Sequence, residues 1–115
     1  MAVDKGYVVL VTSQDLGRGD DELGGALTIK FLQELGGAAA QPEKILFLNS
    51  GVWLLAEESP ALPHLRKLEG AGVELRACGT CLEWFELTKS LAAGKPTNMP
   101  AIVADLAAAK KVVTL

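Results

Sequence analysis

Val73-Glu74-Leu75-Arg76-Ala77-Cys78-Gly79-Thr80-Cys81-Leu82-Glu83-Trp84-Phe85-Glu86-Leu87 changes its periodicity in the middle. Val73–Ala77 alternates apolar and polar residues, with Glu74 and Arg76 on one side, as an extended strand does. From Leu82 onward the apolar residues fall at helical spacing. The change occurs within Cys78-Gly79-Thr80-Cys81, which holds both cysteines of the chain. Thr80 and Glu83 have the spacing of a capping box, so the sequence predicts a helix opened by Thr80, with Cys81 at its first position and Cys78 just ahead. Unpaired N–H groups and the positive end of the helix dipole favour a thiolate at such a place.

Working outward, Tyr7–Thr12, Lys44–Leu48 and Lys111–Leu115 are further short, β-branched runs bounded by turn residues. Val8-Val9-Leu10-Val11 and Ile45-Leu46-Phe47-Leu48 are continuously apolar, the pattern of strands covered on both faces in a parallel sheet. The charged side of Val73–Ala77 places that strand near an edge or against a partner subunit. Lys95–Thr97 is a weakly signalled fifth strand. Between the strands, Asp20 is an N-cap for a helix whose stripe reads Leu23, Leu27, Phe31 and Leu35, stopped by Gly36-Gly37. Ser59-Pro60 opens a second helix, with Leu62, Leu65 and Leu68 as its buried face. Thr80 opens a third that runs to Gly94 and Pro96, and Asn98 caps a fourth over Met99–Ala109. Strands and helices alternate, which predicts an α/β three-layer sandwich with a mostly parallel sheet of about five strands.

The 115 residues fit one compact domain, 1–115, with no internal repeat or linker. Half of them are apolar and 22% are charged, and the net charge of -3 lends no support to nucleic-acid or anionic-membrane binding. No run approaches the ~20 apolar residues of a membrane span. Met1–Gly6 lacks the apolar region of a signal peptide. A cytoplasmic location is therefore expected. In a reducing compartment a Cys-x-x-Cys is more often redox, sulfur-handling or metal-binding than structural.

Ligands of open parallel sheets sit beyond the carboxyl ends of the strands. Those ends are Thr12-Ser13-Gln14, Asn49-Ser50-Gly51 and Cys78-Gly79-Thr80-Cys81, all small and hydrogen-bonding. Turn chemistry alone accounts for the Ser and Asn residues equally well. The cysteine pair has four readings. Structural zinc needs four ligands, and the chain offers two Cys and one His, His64, so only a site shared between subunits meets the number. Thioredoxin-like exchange is chemically reasonable, but that motif comes early in its fold and after an aromatic, where this chain has Ala77. Two buried, inert cysteines are the third reading, and a persulfide carrier is the fourth. Gly17-x-Gly19 begins a dinucleotide fingerprint, but Glu22 stands where the third Gly belongs, and Asp20, Asp21 and Glu22 repel phosphate. Asp15 and Arg18 are placed to gate the rim. Trp53, Trp84 and Phe85 are candidates for core packing or for a subunit interface.

Gly17-Arg18-Gly19-Asp20-Asp21-Glu22-Leu23-Gly24, Phe47-Leu48-Asn49-Ser50-Gly51-Val52 and Cys78-Gly79-Thr80-Cys81-Leu82, extended by Asn98-Met99 and Lys111-Val112-Val113, together resemble the DsrE-like domain of YedF-type proteins. The resemblance spans nearly the whole chain. It implies a DsrE/DsrF/DsrH-type fold of about five parallel strands, often assembled as trimers or hexamers. It also implies sulfurtransferase-like chemistry: sulfur relay in tRNA thiolation and sulfur oxidation, with the YedF branch linked to selenium metabolism. The resemblance implies that Cys78, the residue after the third strand, is the acceptor that forms a persulfide, and that Cys81 is a resolving or chalcogen-exchanging partner. Thr12, Ser13, Asn49, Ser50, Gly51, Gly79 and Thr80 form the supporting rim. No cofactor and no metal is expected. YedF-type proteins usually carry an N-terminal TusA-like domain absent from these 115 residues. The chain is therefore expected to be either an isolated domain of a longer protein or a stand-alone relative that meets a TusA-like sulfur carrier in trans. Further copies of the chain are the other partner the resemblance implies. A non-catalytic assembly module with structural or metal-sharing cysteines, or a thiol–disulfide oxidoreductase, are the competing functions.

Overall fold

The computed structural model describes residues 2–115; Met1, where the N-terminal reading begins, lies outside the described residues. The strands are β1 (Ala2–Val11), β2 (Ala40–Phe47), β3 (Glu74–Cys78), β4 (Lys95–Thr97) and β5 (Lys111–Thr114), and the helices are α1 (Asp21–Gly36), α2 (Leu62–Gly70), α3 (Gly79–Trp84) and α4 (Met99–Ala108). A 3-10 helix over Asn49–Leu55 follows β2. The strands form one sheet in the order β4-β3-β2-β1-β5, and every pair is parallel. The weakly signalled strand at Lys95–Thr97 is real. It forms the edge beside β3, pairing Cys78 with Thr97.

Alternation along the strands divides the interior. Val9, Val11, Ile45, Phe47, Leu75 and Ala77 point to one face and pack with Leu32 and Leu35 of α1, Leu62, Leu65 and Leu68 of α2, and the 3-10 helix. Val8, Leu46 and Cys78 point to the other face, where Ile102 of α4 completes a much smaller cluster. The architecture is thus a three-layer α/β sandwich, as the alternation of elements predicted. The charged side of β3 is satisfied within the chain. Glu74 lies 3.7 Å from both Lys44 and Arg76, and Lys44 donates to Asp105 of α4 at 2.8 Å. Asp105 is the main reason the Lys44 ammonium is held above its ordinary pKa, against the opposing effect of its partial burial.

Several local expectations are corrected. Leu23 and Leu27 are 58% and 41% exposed, and α1 instead buries Gly24, Thr28, Leu32, Leu35 and Gly36. Small residues win that face because α1 lies close to the preceding loop: a Cβ on Gly24 would stand 3.1 Å from Cβ of Asp15. Ser59-Pro60 makes a turn, with the Ser59 hydroxyl accepting from Ala61 N–H, and α2 proper begins at Leu62. α3 is far shorter than expected. Glu86 adopts a left-handed φ of 57°, the Glu86 N–H bonds the Glu83 carbonyl, and the Leu87 N–H bonds the Leu82 carbonyl at 2.8 Å. This is a Schellman stop, with buried Leu82 and Leu87 as its apolar pair. The chain then runs without helix to Gly94 and is sewn to the end of the 3-10 helix. Ala92 N–H bonds Leu55 O, Glu57 N–H bonds Ser90 O, and Ala56 bridges Leu91.

Candidate functional site

The carboxyl ends of β1, β2 and β3 bring the sequence-singled residues to one rim, but they divide into separate groups. At the β1–β5 boundary, where the strand order reverses, the Thr12 hydroxyl donates to the Leu115 carbonyl at 3.1 Å. Between β1 and β2, Ser13 and Ser50 hydroxyls lie 3.4 Å apart, Ser50 accepts from Gln14 N–H and Ser13 from Asp15 N–H. These hydroxyls fasten the rim loops to one another. Gly51 is buried because the rim presses onto β1: a Cβ there would lie 2.6 Å from the Val11 carbonyl oxygen. Arg18 is exposed, and Asp15 lines a different cavity, beside Gln14, Trp53, Glu57 and Glu58.

The cysteine pocket lies between the ends of β2 and β3. It is an open cavity of about 340 Å³ lined by Leu48, Asn49, Thr80, Cys81, Trp84 and Phe85. Asn49 sits in the left-handed region, φ 51°, a conformation Asn tolerates better than most residues. Its backbone N–H donates to Cys81 Sγ at 3.1 Å. Trp84 is 81% exposed at the pocket mouth. Trp53, 40% exposed, packs its ring 5.7 Å from that of Phe85, so the 3-10 helix and α3 brace each other. Core packing holds for Phe85, part-buried against the core, whereas Trp84 stands in solvent.

Two expectations about the tetrad change. Thr80 is not a cap: α3 begins at Gly79, Cys78 occupies the N-cap position, and no side chain caps the helix. Thr80 is an exposed pocket-wall residue, and Gly79 fits beneath the Thr97 carbonyl, 3.1 Å from where its Cβ would be. Cys81 therefore lies at the third helical position, two residues deeper than the first. Burial pushes the Cys81 thiol above the ordinary cysteine value, the Asn49 N–H pulls it down by less, and the neighbouring Cys78 adds to the rise. A depressed thiol is what the dipole argument predicted. Desolvation by the apolar walls outweighs it. Cys78 is 1% exposed, closed in by Val8, Leu46 and Ile102. Both cysteines are free. Among the described residues no three His, Cys, Asp or Glu side chains gather as metal ligands.

Sequence reasoning did not find Trp84, Phe85 and Leu48 as pocket walls. The signal available was their adjacency to Cys81 and Asn49, which core packing explained as readily. No family model and no curated protein sequence matches the chain. Solved structures do match. The ychN protein from E. coli superposes with a TM-score of 0.65 at 14% identity, over 95% of this chain and 98% of that one. MTH1491 from Methanobacterium thermoautotrophicum, a protein of unknown function, gives 0.69 at 17% over the full length of both. BT1422 from Bacteroides thetaiotaomicron, a conserved protein of unknown function, gives 0.66 at 11%, over 96% and 95%. At these identities the likeness is one of fold: a DsrE/DsrF-like, five-stranded parallel sheet flanked by helices.

Proposed function

We propose that this chain is a sulfurtransferase-like carrier that holds sulfane sulfur, or selenium, as a persulfide or its selenium analogue on the Cys78–Cys81 pair. The observation that carries the reading is the placement of Cys81 in an open, largely apolar pocket at the carboxyl end of the sheet, with a backbone N–H aimed at its sulfur. The apolar walls slow hydrolytic and solvent-borne side reactions of a bound sulfane sulfur. The raised Cys81 thiol also bears on mechanism. A thiol of high pKa is a strong nucleophile once ionised and a poor leaving group, which suits holding sulfur more than rapid disulfide exchange. The pocket lining carries no charged side chain, which fits a persulfide presented on a carrier protein, such as a TusA-like one, better than a small dianionic donor.

Mass spectrometry after incubation with a low-molecular-weight alkyl persulfide tests the proposal. The folded protein is expected to gain one sulfur atom on the Cys78–Cys81 peptide at early times and to pass it to an added thiol, or to release it as hydrogen sulfide when no thiol is added. A protein that takes up no sulfur while catalysing insulin-type disulfide reduction would be an oxidoreductase instead, and one that does neither would be an assembly module.

A further inference from the structure

The fold layers the two thiols instead of placing them side by side at the surface. Cys81 lines the pocket, whereas Cys78 is 1% exposed behind it, beneath Ile102 of α4. Both side chains reach the same small apolar cluster, and Cys78 is near enough to act on the Cys81 thiol. A donor entering from solvent therefore meets Cys81 first. We infer that Cys81 accepts the incoming sulfur and that Cys78 is an inner thiol that discharges it when no acceptor arrives. This inference rests on the carrier reading and reverses the roles that the family resemblance implies.

In the first step the Cys81 thiolate attacks the terminal sulfur of the donor, R–S–SH. The donor S–S bond breaks, R–S⁻ leaves, and Cys81–S–SH forms in the pocket. An acceptor thiolate reaching the pocket takes the terminal sulfur and expels the Cys81 thiolate, with no net redox change in the protein. In the absence of an acceptor, the Cys78 sulfur attacks Cys81 Sγ. The Sγ–S bond breaks, hydrosulfide departs with the electron pair and takes up the Cys78 proton, and a Cys78–Cys81 disulfide remains. The sulfane sulfur is reduced to sulfide and the two cysteines are oxidised. Two molecules of a small thiol then restore the dithiol.

The test uses a low-molecular-weight alkyl persulfide, followed by alkylation and peptide sequencing by mass spectrometry. Wild-type protein is first alkylated alone. Cys81 is expected to react at least about tenfold faster than Cys78, and equal rates would overturn the order without any variant having to fold. With the persulfide, wild-type protein is expected to release hydrogen sulfide and form the Cys78–Cys81 disulfide, Cys78→Ser to retain sulfur on Cys81 and release none, and Cys81→Ser to take up about tenfold less sulfur than Cys78→Ser. Uptake that survives in Cys81→Ser and vanishes in Cys78→Ser overturns the order and leaves the carrier reading intact. Folded wild-type protein that neither gains sulfur nor releases hydrogen sulfide with formation of a Cys78–Cys81 disulfide overturns the carrier reading and the order with it.

Discussion

Cys81 is pulled in opposite directions by two neighbours, and the balance can be measured. Apolar walls raise its pKa and the Asn49 N–H lowers it, with the walls ahead. Alkylation of Cys81 is expected to rise with pH through a midpoint above that of a cysteine in an unfolded peptide. A midpoint at or below the peptide's would remove the desolvation argument. A folded-state value above the unfolded one contributes stability in full below the unfolded value, and that contribution is lost as pH rises through the folded value. Denaturant melts should accordingly lose stability on the alkaline side in wild type more than in Cys81→Ala. The place of Cys78 and Cys81 at a strand-to-helix junction was legible from the sequence. Their relative depth was not, because it depends on α3 beginning at Gly79 and on α4 closing over Cys78, and both are tertiary outcomes.

Among the elements, helix starts were readable where a side chain does the capping. Asp20 accepts from Leu23 N–H and Asn98 from Ala101 N–H, both at 2.9 Å. Alanine at either position is expected to cost about 1 kcal/mol. At Thr80, which caps nothing, alanine should stay within about 0.5 kcal/mol. A Thr80→Ala loss matching that of Asp20→Ala in urea melts would restore the capping box. Helix ends set by tertiary packing were not readable, and α3 shows why. Its stop is a left-handed Glu86, a residue with no intrinsic preference for that conformation, held there because Leu87 is drawn into the core. Glycines give a parallel contrast. Gly94 has φ +72° and its Cβ would lie 2.8 Å from the Leu75 carbonyl oxygen. Gly94→Ala and Gly51→Ala are each expected to destabilise by about 1–3 kcal/mol. Gly70 ends α2 with nothing near its Cβ, so Gly70→Ala should be neutral or stabilising by up to about 1 kcal/mol. Equal melting temperatures for Gly70→Ala and Gly94→Ala would contradict the close approach.

At the scale of the molecule, the alternation of elements and the unbroken apolar runs of β1 and β2 made the parallel sheet legible, whereas the strand order β4-β3-β2-β1-β5, with β5 returning across β1, is a tertiary outcome. What periodicity left out was the surface. Leu23, Leu27, Trp84, Met99 and Val103 are apolar and exposed, residues a lone domain gains nothing by presenting. The DsrE-like resemblance implies trimers or hexamers, and light scattering is expected to return such a multiple of 12.1 kDa. A 12.1 kDa particle at tens of micromolar would sink that expectation. The helix that covers Cys78 also belongs to the thinner of the two outer layers: α4 rests on the small cluster of Val8, Leu46 and Ile102, while the opposite face carries the main core. Local opening free energy scales with buried apolar contact, so α4 should lift while the rest of the sheet stays folded. The reactivity of Cys78 toward solvent then reads out a sub-global unfolding equilibrium, faster in low denaturant and slower when α4 is pinned, with no change at the pocket.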